Sequence, residues 1–221
     1  MSTAVLVDGG FFQKRYRALY DGAIDHDPKT VAKSLFTLAL KHIDQESGEK
    51  LYRIFYYDCP PLAKKIHHPL TGKSIDFSKT PQADFQLQFF EELKKLRKVA
   101  LRRGEIRDRG GWKVEKSKLA NLLSQRIKVS DLTEADVRPD IVQKGVDMRI
   151  GLDIAALAFK RLADKIVLIS GDSDFVPAAK LARREGIDFI LDPMWNPINP
   201  DLHEHIDGLK SYSPRPKEQK K

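Results

Sequence analysis

Four consecutive apolar residues, Ala4 to Val7, are closed abruptly by Asp8-Gly9-Gly10. That is the pattern of a short buried strand ending in a turn, with a helix expected from Phe11. Val31, Leu35, Leu38 and Ile43 fall near helical spacing and predict a second helix over 30–43, before the Ser47-Gly48 break. Leu51 to Tyr57 predicts a strand. Pro60-Pro61 then interrupts regular structure, and the Gly, Pro, Ser and Thr content of 67–80 predicts a loop with a mobile tip.

Phe85, Phe89, Leu93, Leu96 and Ala100 recur every three or four residues, so one helix is expected to carry this stripe with its basic residues facing outward. Residues 105–114 suggest a short strand pair folded around Gly110-Gly111, followed by a helix through Leu119, Leu122 and Leu123. Val146, Ile150, Ile154 and Leu157 mark a helix running to about residue 163, and the continuously apolar Ile166 to Ile169 reads as a strand covered on both faces. A helix over 175–185 follows, with Pro177 tolerated in its first turn and Gly186 closing it, then a strand over 187–191. Strands alternating with helices predict an α/β fold, its sheet mostly parallel with helices on both faces. Residues 1–210 read as a single domain with a basic insertion around 60–140, and 211–221 as a disordered basic tail.

Composition narrows the classes of function. The chain is 41% hydrophobic and 32% charged, a balance of soluble globular domains, and no apolar run approaches the ~20 residues that cross a bilayer. The first residues lack the basic flank and long apolar core of a secretory signal, so a cytoplasmic location is expected. The lone Cys59 excludes an internal disulfide and a cysteine-based zinc site, and reads as a packing residue. The formal net charge of +8 is concentrated, because 93–118 carries eleven Lys or Arg against three acids. Such a stretch suits either a solvated helix face or a polyanionic partner such as nucleic acid. A homo-oligomer is compatible with the sequence.

The aspartates sharpen the picture. Asp8, Asp58, Asp172 and Asp192 each follow a predicted strand, and in a parallel sheet those strand ends share the edge where open α/β folds bind ligands. Turns and helix caps explain any one of them, and that is the preferred role for Asp58 and Asp192. Asp172 and Asp174, two apart after a buried strand, repel unless protonated or bridged by a cation, with Asp174 the expected helix cap. Asp147 opens the helix before the central strand, with Gly151 four residues on leaving room for a metal or a packed neighbour. Asp153 lies about 120° round that helix and is assigned a peripheral role. Mg²⁺ or Mn²⁺ suits an all-oxygen set of this kind.

Three blocks carry a resemblance: Val5-Leu6-Val7-Asp8-Gly9-Gly10-Phe11-Phe12, then Lys144-Gly145-Val146-Asp147 with Asp153, then Ile169-Ser170-Gly171-Asp172-Ser173-Asp174-Phe175 with Pro177. In this order they resemble the NYN domain family of PIN-like nucleases, in its bacterial branch. The resemblance implies a PIN-like three-layer α/β/α sandwich in which Asp8, Asp147, Asp172 and Asp174 hold Mg²⁺ or Mn²⁺ and promote phosphodiester hydrolysis, usually of RNA. Many relatives carry asparagine three positions after the first aspartate, where this chain has Phe11.

The expected chemistry is attack on phosphorus by a water that divalent ions orient and deprotonate. Lys14, Arg15, Lys144 and Arg149, close in sequence to the acidic blocks, are candidates to hold substrate phosphates, and Trp112 or Tyr56-Tyr57 to stack bases, against the simpler roles of surface charge and core packing. The pairs His67-His68 and His203/His205 lack an identifiable third ligand. Two other classes stay open: a nucleic-acid-binding protein of the same fold with little or no cleavage, which Phe11 favours, and an aspartyl-nucleophile phosphatase. The latter is disfavoured because Gly10 stands where a second acid is needed.

Overall fold

In the computed structural model, which describes residues 1–216, ten strands and seven helices follow one another along the chain. Strand β1 (Ser2–Asp8) runs into α1 (Gly9–Leu19), and α2 (Pro28–Leu40) leads to β2 (Lys50–Asp58). A small hairpin, β3 (Lys65–His67) and β4 (Ser74–Asp76), precedes α3 (Pro81–Lys94) and β5 (Val99–Arg103). Strand β6 (Glu105–Val114), α4 (Lys116–Leu123) and β7 (Val137–Lys144) follow. Helix α5 (Val146–Phe159), β8 (Lys165–Ile169), α6 (Val176–Arg184), β9 (Asp188–Asp192), α7 (Pro200–Glu204) and β10 (Gly208–Leu209) complete the order.

Six strands form one sheet in the order β10-β9-β8-β1-β2-β5, every pair parallel. The alternation of side chains along β1 explains the layers. Ala4 and Leu6 pack with Ile150, Ile154 and Leu157 of α5 and Ala179 and Ala182 of α6, whereas Val5 and Val7 face Phe12 and Tyr16 of α1, Leu35 of α2 and Phe89 of α3. Two apolar clusters thus sandwich the sheet, which is the expected α/β architecture with helices on both faces. Strand β8 sits between β1 and β9, and all five of its residues are buried.

Several expectations change. The apolar stripe from Phe85 to Ala100 belongs to two elements, because Lys98 takes a left-handed backbone (φ 64°) and Val99–Arg103 pairs with β2 instead of extending the helix. Helix α3 and β5 are therefore integral to the sandwich, with Phe89, Phe90 and Leu93 all at 2% exposure or less, although they fall within the stretch read as a basic insertion. Residues 105–114 do not fold on themselves. They form one strand, bulged near Gly110-Gly111, whose antiparallel partner is the distant β7, with Glu105 opposite Lys144. The expected loop over 67–80 contains the β3–β4 hairpin, anchored by buried His68, whose ring stacks edge-on against Trp112 and bonds the Glu134 carbonyl at 3.2 Å.

The expected tail divides. Over 211–216, Tyr212 packs edge-on against His42, Ser213 is buried, and the Trp195 indole N–H donates to the Ser213 carbonyl at 2.9 Å. These contacts give 211–216 a place on the fold, and the remainder of the tail, 217–221, lies outside the described residues. Among the described residues no helix is long and apolar enough to cross a membrane.

Candidate metal centre at the carboxyl edge of the sheet

Because the strands run parallel, the residues that end them lie along one edge. Asp8 is the last residue of β1, Asp58 of β2 and Asp192 of β9, and Asp172 comes three residues after β8. Asp8 also caps α1, its Oδ1 accepting the Phe11 N–H at 3.1 Å, while its Oδ2 accepts from the Ser170 hydroxyl at 3.3 Å. That hydroxyl in turn accepts the Asp172 N–H at 3.3 Å. A short bonded chain therefore links the ends of β1 and β8. Asp172 Oδ1 accepts the Asp174 N–H at 3.0 Å and caps the 3-10 turn Ser173–Phe175, whereas α6 starts from Phe175 without a side-chain cap, so Asp174 does not take the capping role expected of it and its carboxylate is left exposed.

Electrostatics tie Asp147 to this group. Burial pushes the Asp8 carboxyl up to about 6, with the charges of Asp147 and Asp58 adding to the rise and the Phe11 N–H and Ser170 hydroxyl opposing it. Loss of hydration raises Asp147 too, helped by Asp172 and Asp174. Asp147, at the start of α5, thus feels Asp8 at the end of β1 and both aspartates of the turn before α6. They interact at electrostatic range without being gathered tightly: among the described residues, the one trio of potential ligands whose atoms lie within 4.8 Å of one another is Asp201, Glu204 and His205 on the short α7. That trio gives His205 two carboxylate neighbours but leaves out His203, and it is a largely exposed cluster on a separate element.

Unlike several aspartates elsewhere in the fold, the four at this edge have no cationic partner. Asp108 pairs with Lys64, Asp136 with Lys118, Asp140 with Lys113, Asp153 with Arg102, Asp192 with His42 and Asp207 with Arg183. Among the described residues no lysine, arginine or histidine pairs with Asp8, Asp147, Asp172 or Asp174. In a chain of net charge +8 this leaves concentrated negative potential at one edge. The donors there are carboxylate and hydroxyl oxygens without thiolate or imidazole, the set that a hard divalent cation prefers. By donor type the residues present therefore fit a hard divalent cation, with their carboxylates further apart than a single tight ligand set.

The neighbours take structural roles. Asp58 accepts from Gln86 Nε2 and the Cys59 N–H, both at 2.7 Å, and from the Tyr56 hydroxyl at 3.1 Å. Asp192 is fully buried between His42 Nε2 at 2.9 Å and the Met194 N–H at 2.8 Å. Asp153 accepts the Tyr57 hydroxyl at 2.8 Å as well as pairing with Arg102. Tyr56 and Tyr57 are accordingly core residues. Cys59 is buried, its thiol pushed up by that burial, and it donates to the Glu105 carbonyl at 3.4 Å.

The proposed phosphate contacts divide as well. Arg15 directs Nε and Nη2 at the Met194 carbonyl (3.0 and 2.7 Å), and Arg149 donates to the Arg103 carbonyl at 2.8 Å, so both brace the fold. Lys14 and Lys144 are exposed and carry no ion pair among the described residues. Arg17, one turn beyond Lys14 on α1, is a further exposed cation that sequence proximity to the acids did not pick out. Gly151 meets nothing within 4 Å of an added Cβ, so it is not a point of close approach. At Gly171 a Cβ would come within 2.8 Å of the Phe11 ring, which therefore lies directly over the turn carrying Asp172.

A wholly parallel sheet between two helical layers is an α/β/α sandwich, the class of fold to which PIN-like domains belong. The chain belongs to the NYN domain family, whose model matches residues 71–196, more than half of its length. NYN domains are PIN-like nucleases and as a rule depend on a divalent metal. The matched range includes Asp147, Asp172 and Asp174, whereas Asp8 precedes it. Among solved structures, a protein of unknown function from Vibrio parahaemolyticus is similar at 15% identity, with a TM-score of 0.49 over 96% of this chain and 93% of that one. No curated protein matches the sequence.

Proposed function

We propose that this chain is a divalent-metal-dependent nuclease that hydrolyses phosphodiester bonds, with RNA as its substrate, through Asp8, Asp147, Asp172 and Asp174. The observation that carries the proposal is the placement of four carboxylates without a cationic partner about the carboxyl edge of a NYN fold, bonded through Ser170 from Asp8 to the Asp172 turn and with Asp147 in the field of the other three. Asp8 is held by the α1 cap and Ser170, and Asp172 by its own turn. Asp147 and Asp174 are exposed and free to adjust. Bound by these side chains, Mg²⁺ or Mn²⁺ supplies Lewis acidity, acidifying water and screening phosphate charge. Lys14 and Lys144 lie on elements flanking the edge and are assigned to substrate phosphates. A side-chain nucleophile is not needed.

The test is cleavage of single-stranded and structured RNAs by the purified chain with Mn²⁺ or Mg²⁺. Activity is expected to vanish with EDTA and to fall by at least 10²-fold in Asp172→Asn, a scale set by the loss of charge stabilisation at a reacting phosphate. A second reading rests on Phe11. Its ring covers Gly171 where relatives place a polar asparagine, which suits a protein that binds nucleic acid and cleaves it slowly. Wild-type protein that binds RNA yet shows no metal-dependent cleavage on any substrate selects this second reading.

A further inference from the structure

Next to the carboxylates lies a cleft of about 720 Å³, within the size range of small-ligand sites. Its contact with the acidic edge is direct. A methyl group added at Gly10 would sit 3.7 Å from Asp8 Oδ1 and 3.9 Å from Gln143 Oε1, so the cleft and the edge meet at this glycine. The walls are apolar, with Leu62 and Phe77 contributed by the segment after β2 and Ile106 and Ile141 by the antiparallel β6–β7 pair. Its uncharged polar lining consists mainly of primary amides, with the Thr80 hydroxyl. Gln13 Nε2 donates to Gln86 Oε1 at 2.7 Å, and Gln86 Nε2 donates to Asp58 Oδ2 at 2.7 Å, which fixes the direction in which both amides point. Gln13 Oε1 and the whole amide of Gln143 keep their hydrogen-bonding capacity, since neither has a partner among the described residues.

Charge is distributed unevenly around this cleft. Its floor holds Asp58, while Lys14 and Arg17 line it from the exposed face of α1. A phosphate is repelled by the floor and attracted to that cationic face. A flat, uncharged ring bearing donors and acceptors on its edge suits the interior, because it can lie between apolar walls and bond to amides.

We infer that this cleft is a nucleobase subsite, taking one unstacked base of the strand whose phosphodiester lies at the aspartates. Lys14 and Arg17 hold the adjoining backbone, and Gln13 and Gln143 meet the base edge. Asp58, through Gln86, is the positioning residue that orients Gln13. The inference rests on the nuclease reading for the direction of the strand, but base binding itself requires no cleavage.

The experiment uses the full chain carrying Asp172→Asn, in EDTA, titrated separately with AMP, GMP, CMP, UMP and ribose 5-phosphate. Side-chain amide resonances are followed by ¹⁵N NMR and affinity by calorimetry. At least one nucleotide is expected to bind with Kd on the order of 1 mM or tighter, shifting the amide signals of Gln13 and Gln143, while ribose 5-phosphate leaves them unmoved. Phe77→Ala and, independently, the exposed Gln143→Ala are each expected to weaken that binding about tenfold. In the cleavage-competent protein the same variants are expected to raise KM more than they lower kcat and to blunt preference for one base beside the cut. Nucleotides that leave the cleft amides unmoved, or ribose 5-phosphate that matches them, overturn the subsite even if RNA is cleaved. Base binding without cleavage overturns only the nuclease reading.

Discussion

At the scale of single residues, Asp8 shows what the candidate site costs the fold. Its carboxyl is pushed from 3.8 up to about 6, chiefly by burial. Below about pH 4 it is protonated in folded and unfolded chains alike and costs nothing. Between about pH 4 and 6 the unfolded chain releases the proton while the folded chain retains it, so stability falls as pH rises. Above 6 the penalty is complete, on the order of 2 kcal/mol once partial exposure is discounted. Asparagine also caps helices well. In EDTA, Asp8→Asn is therefore expected to melt higher than wild type at pH 8, with the gap closing toward pH 4. Mn²⁺ should reverse the order at pH 8 by stabilising only the wild type. Thermal melts of both proteins across pH check this, and a gap independent of pH rejects it.

The same scale shows how much of the site was legible. Asp8, Asp147, Asp172 and Asp174 could be singled out because each follows or opens an apolar element whose direction the alternation of strands and helices predicts. Which aspartate of the Asp172-Ser173-Asp174 turn caps it could not be read, since either side chain is within reach and the choice depends on backbone angles. Arg15 and Arg149 looked like phosphate ligands because they are near the acids in sequence. Their donors are instead spent on carbonyls of Met194 and Arg103, contacts spanning 179 and 46 residues that no local pattern reports.

At the scale of elements, the sheet was legible where a strand is buried on both faces and obscure where it is an edge or a hairpin. β1 and β8 announce themselves as unbroken apolar runs. β5 does not, since its Ala100 continues the helical spacing of α3 and only the left-handed turn at Lys98 and the free edge of β2 decide the outcome. β6 finds its partner in β7 after an intervening helix, a pairing set by register rather than by neighbouring sequence. The junction of β1 and α1 supplies a prediction of its own. An added Cβ at Gly9 would lie 2.6 Å from Tyr56 Cζ and 2.7 Å from the Tyr57 carbonyl, so α1 can start so close to β2 only with glycine there. Gly9→Ala is expected to destabilise the fold by about 1–3 kcal/mol, measured by urea unfolding. Because the shift moves α1, it should also loosen the Phe11 N–H to Asp8 cap and weaken Mn²⁺ binding. Alanine accepted without loss of stability rejects the close packing.

At the scale of the whole molecule, a net charge of +8 suggests strong attraction to a polyanion, but the structure spends much of its basic charge internally. Within 93–118, Lys94, Lys95, Arg102, Arg107, Lys113 and Lys118 are all in ion pairs, and the Arg103 guanidinium lies over the Phe90 ring. Six of the eleven cations in the basic stretch are thus paired with carboxylates, most of them supplied by other segments. The cations that flank the acidic edge and carry no ion pair, Lys14, Arg17 and Lys144, are few. If they deliver the substrate backbone, about three phosphates are neutralised, and for a single strand the slope of log affinity against log salt is about −2. Fluorescence anisotropy of a labelled RNA with the Asp172→Asn protein, between about 50 and 200 mM KCl, measures it directly, over a range used to resolve such slopes. Lys14→Ala should make the slope shallower by about 0.7, one released counterion's share, whereas Lys113→Ala, whose partner is Asp140, should leave it nearly unchanged. A slope near −6 would instead mean that the cations of 93–118 neutralise phosphates as well, making the β6–β7 pair and its neighbours the main track for the strand.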